Sequence, residues 1–156
     1  MKDSCMCVGI VLVNAQKEVF VGKRYFKGDK EQKDEYWQMP QGGVDAEEVP
    51  VEAMLRELYE ETGLHKDEIE VIAESKRWYR YDIPEEYHTK HCIFREQKWF
   101  LLRFKGDDES INLKVKPNHQ EFSEWKWSPA KNIPKFVIPF KKDVYKQVIK
   151  DFEWYF

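Results

Sequence analysis

Gly42-Gly43-Val44-Asp45-Ala46-Glu47-Glu48-Val49-Pro50-Val51-Glu52-Ala53-Met54-Leu55-Arg56-Glu57-Leu58-Tyr59-Glu60-Glu61-Thr62-Gly63-Leu64 reads as a glycine-rich loop, an acidic helix and a glycine stop. Pro50 suits the first helical turn, where its missing N–H costs nothing, and Gly63 suits the position past the last turn, where the backbone becomes left-handed. At about 100° per residue, Val51, Met54, Leu55, Leu58 and Thr62 share one stripe, and Glu57, Glu60 and Glu61 share another beside it. Like-charged neighbours three or four residues apart cost roughly 0.2–0.5 kcal/mol per pair on an isolated helix. A divalent cation would reverse that sign. Ala53 shares the acidic stripe and is small enough to leave room for an ion or a phosphate there. Oxygen donors without His or Cys favour Mg²⁺ or Mn²⁺ over zinc. The plain alternative, for any Glu-rich stretch, is a solvated helix face.

The spacing decides against that alternative. Gly42, Glu48, Arg56, Glu57, Leu58, Glu60, Glu61, Gly63 and Leu64 match without departure the G-x5-E-x7-R-E-U-x-E-E-x-G-U box, where U is aliphatic. The chain therefore resembles the Nudix hydrolases. The resemblance implies an α/β fold, the Nudix α/β/α sandwich with a mixed central sheet. Periodicity alone gives only α/β or α+β with several strands and two main helices.

Composition sets the outer bounds. The chain has 156 residues, 42% hydrophobic and 15% aromatic, which is enough for one packed domain over residues 1–156. It lacks any run of 18 apolar residues and carries acidic Asp3 near its start, so neither a membrane span nor a secretory signal is expected and a cytoplasmic location follows. Cys5, Cys7 and Cys92 lack the paired spacing of a zinc site, and reduced, mostly buried thiols are expected. The formal net charge of −3 argues against a general electrostatic footprint on duplex nucleic acid such as DNA. A short 5′ end stays open, because metal ions and a few local Lys or Arg side chains can hold a polyphosphate.

Outward from the box, Val8–Val13 and Val19–Val21 suggest a β-hairpin, followed by Lys23 and Arg24. Tyr25 to Tyr36 is too polar to bury and reads as an exposed loop. Tyr36 to Gln41 forms a short strand into the box. Ile69–Ala73, Arg77–Ile83 and Gln97–Phe104 read as further strands, and the alternation of Trp78, Arg80 with Tyr79, Tyr81 suits a half-buried one. His88 and His91 sit in a polar loop and read as surface histidines. Glu121 to Trp127 alternates aromatic with polar residues, as a one-side-covered strand would. Ser128-Pro129 carries the signature of a helix cap and first turn, and Pro139–Ile149 begins a C-terminal helix. The aromatic tail, Phe152, Trp154, Tyr155 and Phe156, either docks on the core or contacts another chain.

Finer likeness narrows the family. W-Q-M-P-Q-G-G from Trp37 and Q-K-W-F from Gln97 resemble a subgroup that holds the bacterial RNA pyrophosphohydrolases and the asymmetric diadenosine-tetraphosphate hydrolases. That resemblance implies Mg²⁺ (or Mn²⁺) held by Glu57, Glu60 and Glu61, with the Gly42 carbonyl and Glu121 contributing. It makes Glu121 the general base, with Glu124 the alternative acid, and assigns substrate contacts to Arg24, Lys98, Phe140 and Lys141. Arg56, four residues before Glu60, has the spacing to orient carboxylates, and Glu48 to fix the loop. The implied substrate is a nucleoside or dinucleoside polyphosphate or an RNA 5′ end. Two departures stand out. Gln120 replaces a proline before Glu121, and Cys5 stands where the bacterial RNA enzymes carry an arginine that engages the RNA end. A diadenosine-tetraphosphate hydrolase is therefore a rival reading, and a non-catalytic nucleotide-binding module is a third that the complete acidic set disfavours.

Overall fold

A computed structural model of the chain describes residues 5–24, 35–89 and 92–156. Eight strands among them form one mixed sheet: β1 (Met6–Val13), β2 (Val19–Arg24), β3 (Trp37–Gln38), β4 (Gln41–Gly43), β5 (Ile69–Glu74), β6 (Tyr79–Asp82), β7 (Phe94–Phe104) and β8 (Phe122–Ser128). The helices are α1 (Pro50–Thr62), a four-residue α2 (Ile133–Phe136) and α3 (Lys142–Asp151).

β1 is the central strand. It runs parallel to β7, and along its other edge it pairs antiparallel with β4 at its start and meets β2 at its end. A strand covered on both faces needs no alternation, which is why Cys7 to Val13 is an unbroken buried run. On one face Val8, Ile10 and Leu12, with Phe100 and Leu102 of β7, pack under Ala53, Met54 and Leu58 of α1. On the other face Val11, Val13, Trp99 and Leu101 pack against Ile133 of α2 and Val144, Tyr145 and Val148 of α3. The result is the α/β/α sandwich expected from the sequence. Gly9 is required by this packing, since a Cβ there would run into the Trp99 ring.

The β1–β2 turn is built by Asn14, whose Oδ1 accepts from the backbone N–H groups of Gln16 and Glu18 at 3.0 and 2.9 Å. Glu52 ties the start of α1 by accepting from the Val49 N–H at 3.0 Å, and Gly63, at φ 76°, ends it with its N–H on the Tyr59 carbonyl. Two details of the helix differ from expectation. Val51 is exposed, and Ala53 is fully buried in the core. The packed arc runs from Ala53 through Glu61 and Met54 to Leu58 and Thr62, so the small Ala53 side chain lets α1 approach the sheet instead of making space for an ion. Ser128 likewise ends β8 and gives no cap hydrogen bond; one 3₁₀ turn, Ala130–Asn132, leads into α2.

The aromatic tail docks. Phe152 is buried, Tyr155 and Phe156 pack on the α3-side core, and Trp154 alone stays outside. The loop expected from Tyr25 to Tyr36 lies, over 25–34, outside the described residues, as does His91. His88 is exposed and bonds the Ile83 carbonyl at 2.6 Å.

The cysteine expectation needs correction. Cys5 and Cys92 form a disulfide, and only Cys7 is a buried free thiol. The pair is separated by 87 residues, and the parallel pairing of Met6 with Glu96 brings them together, a proximity that local spacing does not encode. Cross-linking so long a loop restricts the unfolded chain by about 4–5 kcal/mol in the chain-entropy account. Reduction is therefore expected to lower Tm by about 10 °C, read by calorimetry with and without dithiothreitol; an unchanged Tm would show that the bond adds no stability.

Candidate active site

The site begins where β4 meets α1. Gly42 pairs with Val8, and its Cα faces the Glu57 carboxylate so closely that a Cβ would collide with it. Glycine is thus demanded by contact with an acid, not by a turn. Arg56 organises the acids around it: Nε donates to Glu48 at 2.8 Å, Nη1 to Glu57 at 2.8 Å and Glu60 at 3.4 Å, and Nη2 to the Gly43 carbonyl at 2.8 Å. Glu48 also accepts from the Asp45 N–H at 2.8 Å, which fixes the loop ahead of α1, and the Arg56 hydrogen bonds hold its carboxyl below the usual range. Glu60 has a second cation, Lys116, at 2.6 Å.

Glu61 is 5% exposed, and its Oε2 has no hydrogen-bond partner among the described residues. Burial pushes its carboxyl well above the ordinary range, with Glu121 and Glu57 adding repulsion. Burial likewise lifts Glu57 to about 7, against the opposing pull of Arg56. Glu121, at the entrance to β8, completes the cleft, whose volume is about 600 Å³. Glu124 lies outside it, exposed and paired with Lys23 at 3.3 Å.

These features fit a divalent cation. An orphaned buried carboxylate oxygen, a glycine cradle against Glu57 and an all-oxygen donor set are what a hard cation requires. Among the described residues no three acids converge into a finished cage; Glu57 is paired with Arg56, and Glu60 with Arg56 and Lys116. A pH test follows from the same burial. Glu57 moves from 4.5 to about 7 on folding, so between those values the folded protein holds more protons than the unfolded chain and loses stability as pH rises. A cation must displace those protons. The rise in Tm on adding Mg²⁺ is therefore expected to be small near pH 4.5 and largest above about pH 7; a shift equal at both ends would contradict it.

A second cavity of about 290 Å³ adjoins the cleft through Arg24, Gln41 and Arg95, which line both. Phe140 and Tyr87 form its aromatic wall with ring centroids 5.8 Å apart, and the Tyr81 ring also lies 5.8 Å from Phe140. Lys141 is buried here with Nζ 3.3 Å from Gln38 Oε1, and burial, with Arg24 adding repulsion, lowers its pKa to about 7. Arg24 reaches the same Gln38 oxygen at 3.5 Å.

Of the residues singled out in the sequence, Gly42, Arg56, Glu57, Glu60, Glu61, Glu121, Arg24, Phe140 and Lys141 come together along this groove. Lys98 does not. It stands at the opposite parity to Gln97 on β7, with Nζ 5.7 Å from the Trp78 ring. Lys116, His119, Gln41, Tyr87 and Arg95 line the groove without having been foreseen. Arg95 had a usable signal, because it continues the parity of Gln97, Trp99 and Leu101, and β7 begins at Phe94 and not at Gln97.

Comparison with known proteins agrees with this geometry. The NUDIX domain family matches residues 4–150. The chain is 46% identical over 151 residues to the RNA pyrophosphohydrolase of Roseobacter denitrificans, covering 94% of this chain and 90% of that one. It is 42% identical to the enzyme of the same name from Pseudoalteromonas translucida, over 93% of this chain and 82% of the relative. Among solved structures, the E. coli dihydroneopterin triphosphate pyrophosphohydrolase superposes with a TM-score of 0.71 at 16% identity, covering 97% of this chain and 99% of that one. A C. elegans Ap4A hydrolase binary complex gives 0.65 at 16%, covering 96% and 99%. With the full acidic box set on α1, the mixed sheet between helices, and relatives matched along nearly the whole length, the chain belongs to the Nudix hydrolase family.

Proposed function

We propose that the protein is a Mg²⁺-dependent RNA 5′-pyrophosphohydrolase, converting 5′-triphosphate ends to monophosphates, that also cleaves dinucleoside polyphosphates. The observation that carries this reading is the single groove in which Glu57, Glu60, Glu61 and Glu121 pass through Arg24 into an aromatic cavity. The names of the curated relatives support the RNA substrate.

Phosphoanhydride cleavage needs positive charge to neutralise several phosphate oxygens, an activated water and a positioned leaving group. Glu57, Glu60, Glu61 and the Gly42 carbonyl would hold Mg²⁺, with Mn²⁺ able to replace it. When bound, the cation supplies charge neutralisation and acidifies water. Glu121 accepts the proton of the attacking water as the new P–O bond forms and the anhydride P–O bond breaks, releasing the phosphate leaving group. Arg24 and Lys141 hold phosphate oxygens, and Phe140 stacks on the base. Arg56 keeps the glutamates aimed without touching substrate. Among the described residues no helix is long and apolar enough to cross a membrane, and action in the cytoplasm on soluble nucleotides or RNA ends, not duplex DNA, is part of this reading.

A diadenosine-tetraphosphate hydrolase with little RNA activity is the second reading. It is favoured by Cys5, an uncharged residue bonded to Cys92 at the place where the bacterial RNA enzymes carry an arginine. The test is hydrolysis of 5′-triphosphorylated RNA and of diadenosine tetraphosphate side by side, in ¹⁸O-water with Mg²⁺. Faster turnover of RNA supports the first reading, faster turnover of the dinucleotide the second, and the labelled product reports which phosphorus is attacked. Binding of both without turnover would leave a nucleotide-binding module.

A further inference from the structure

Arg95 pairs with Tyr81 across β6 and β7, and two residues on Gln97 pairs with Tyr79 and with Cys7 of β1. Side chains in this register share one face of the sheet. Arg95 is therefore set on the α3 side, at the mouth of the groove, where it lines both the carboxylate cleft and the aromatic cavity. Its Nη1 is buried and has no hydrogen-bond partner among the described residues.

The Gln97, Gln41 and Tyr81 acceptors are already engaged. The Trp99 indole donates to Gln97 Oε1 at 3.1 Å, Gln97 Nε2 to Gln41 Oε1 at 3.3 Å, and Gln41 Nε2 to the Tyr81 hydroxyl at 3.4 Å. The Cys7 thiol is no counter-ion, since burial pushes it up to about 11 and keeps it neutral. A buried guanidinium nitrogen without an acceptor is a cost that an incoming anion removes. Its planar fork fits two oxygens of one phosphate group, and its place between the glutamates and the aromatic rings matches the phosphate between the cleaved anhydride and the nucleoside.

We propose that Arg95 is a specificity-determining residue of the hydrolase. It grips the nucleoside-proximal phosphate and thereby sets which phosphorus faces Glu121. This rests on the phosphoanhydride reading above and deepens it.

The test compares wild type, Arg95→Gln and Arg95→Lys on diadenosine tetraphosphate in ¹⁸O-water with Mg²⁺. Loss of a charged, two-pronged hydrogen bond should raise KM about tenfold or more in Arg95→Gln, with kcat within about threefold. The label should spread over more than one product phosphorus. Arg95→Lys should recover part of KM but not the single labelling pattern, because an ammonium lacks the fork. The metal-free Tm of Arg95→Gln should be unchanged or higher, which a merely structural arginine would not give. Wild-type KM and labelling in Arg95→Gln, or a fall in Tm with kcat and KM moving together, would overturn the assignment. Should wild type itself turn nothing over, the hydrolase reading fails separately. Arg95 is then judged by calorimetric binding of diadenosine tetraphosphate: about tenfold weaker in Arg95→Gln sustains it, and equal affinity overturns it.

Discussion

Glu57→Gln is expected to lower kcat for Mg²⁺-dependent phosphoanhydride cleavage by about 10³-fold while the fold survives. The side chain is the meeting point of the site: it fills the hollow over Gly42, accepts from Arg56 at 2.8 Å and is partly buried. An amide keeps that shape. It gives up the anionic oxygen that a hard cation prefers, and it leaves Arg56 with one charge fewer to hold. Because burial already disfavours the Glu57 carboxylate at neutral pH, the metal-free variant should be at least as stable as wild type, and the rise in Tm on adding Mg²⁺ should largely vanish. Steady-state kinetics and paired melting curves check both halves. Near-normal turnover would remove Glu57 from the metal assignment, and an unfolded variant would mean that the carboxylate serves packing instead.

For Glu121→Ala the expected result is a fall in kcat of about 10²–10⁴-fold at neutral pH with KM nearly unchanged, the range over which a positioned general base acts. Glu121 comes from the segment entering β8, far in sequence from α1, yet lines the same cleft as Glu57 and Glu61 and raises the proton affinity of both. Glu124 supplies the control. It is exposed, engaged with Lys23 and outside the cleft, so Glu124→Ala should leave kcat within about twofold, as a surface change does. Equal losses in the two variants would deny Glu121 its special role.

The box helix was legible because its information is local. Pro50, Gly63 and the spacing of the glutamates each act within a few turns of one another, and the structure places them as read. Strand positions were legible for the same reason, since apolar runs bounded by turn residues need no partner to be recognised. What escaped depends on contacts between distant segments. Cys5 and Cys92 meet only because β1 and β7 run parallel. Lys116 reaches Glu60 from a charged stretch that carries no period. Lys98 lines neither cavity: it sits one step of strand parity from Arg95 and Gln97, on the face it shares with Phe100 and Leu102. Ala53 failed differently: the core arc on α1 is wide enough to include Glu61, so packing and charge overlap there where the helical projection had separated them.

The most direct trial of the central claim is a crystal grown with Mg²⁺ and a non-hydrolysable dinucleoside polyphosphate. The ion should lie about 2.0–2.1 Å from oxygens of Glu57, Glu60 or Glu61, with the phosphate chain running past Arg24 and a base against Phe140. Glutamates still locked onto Arg56 and Lys116, with the ion and phosphates bound elsewhere, would contradict it.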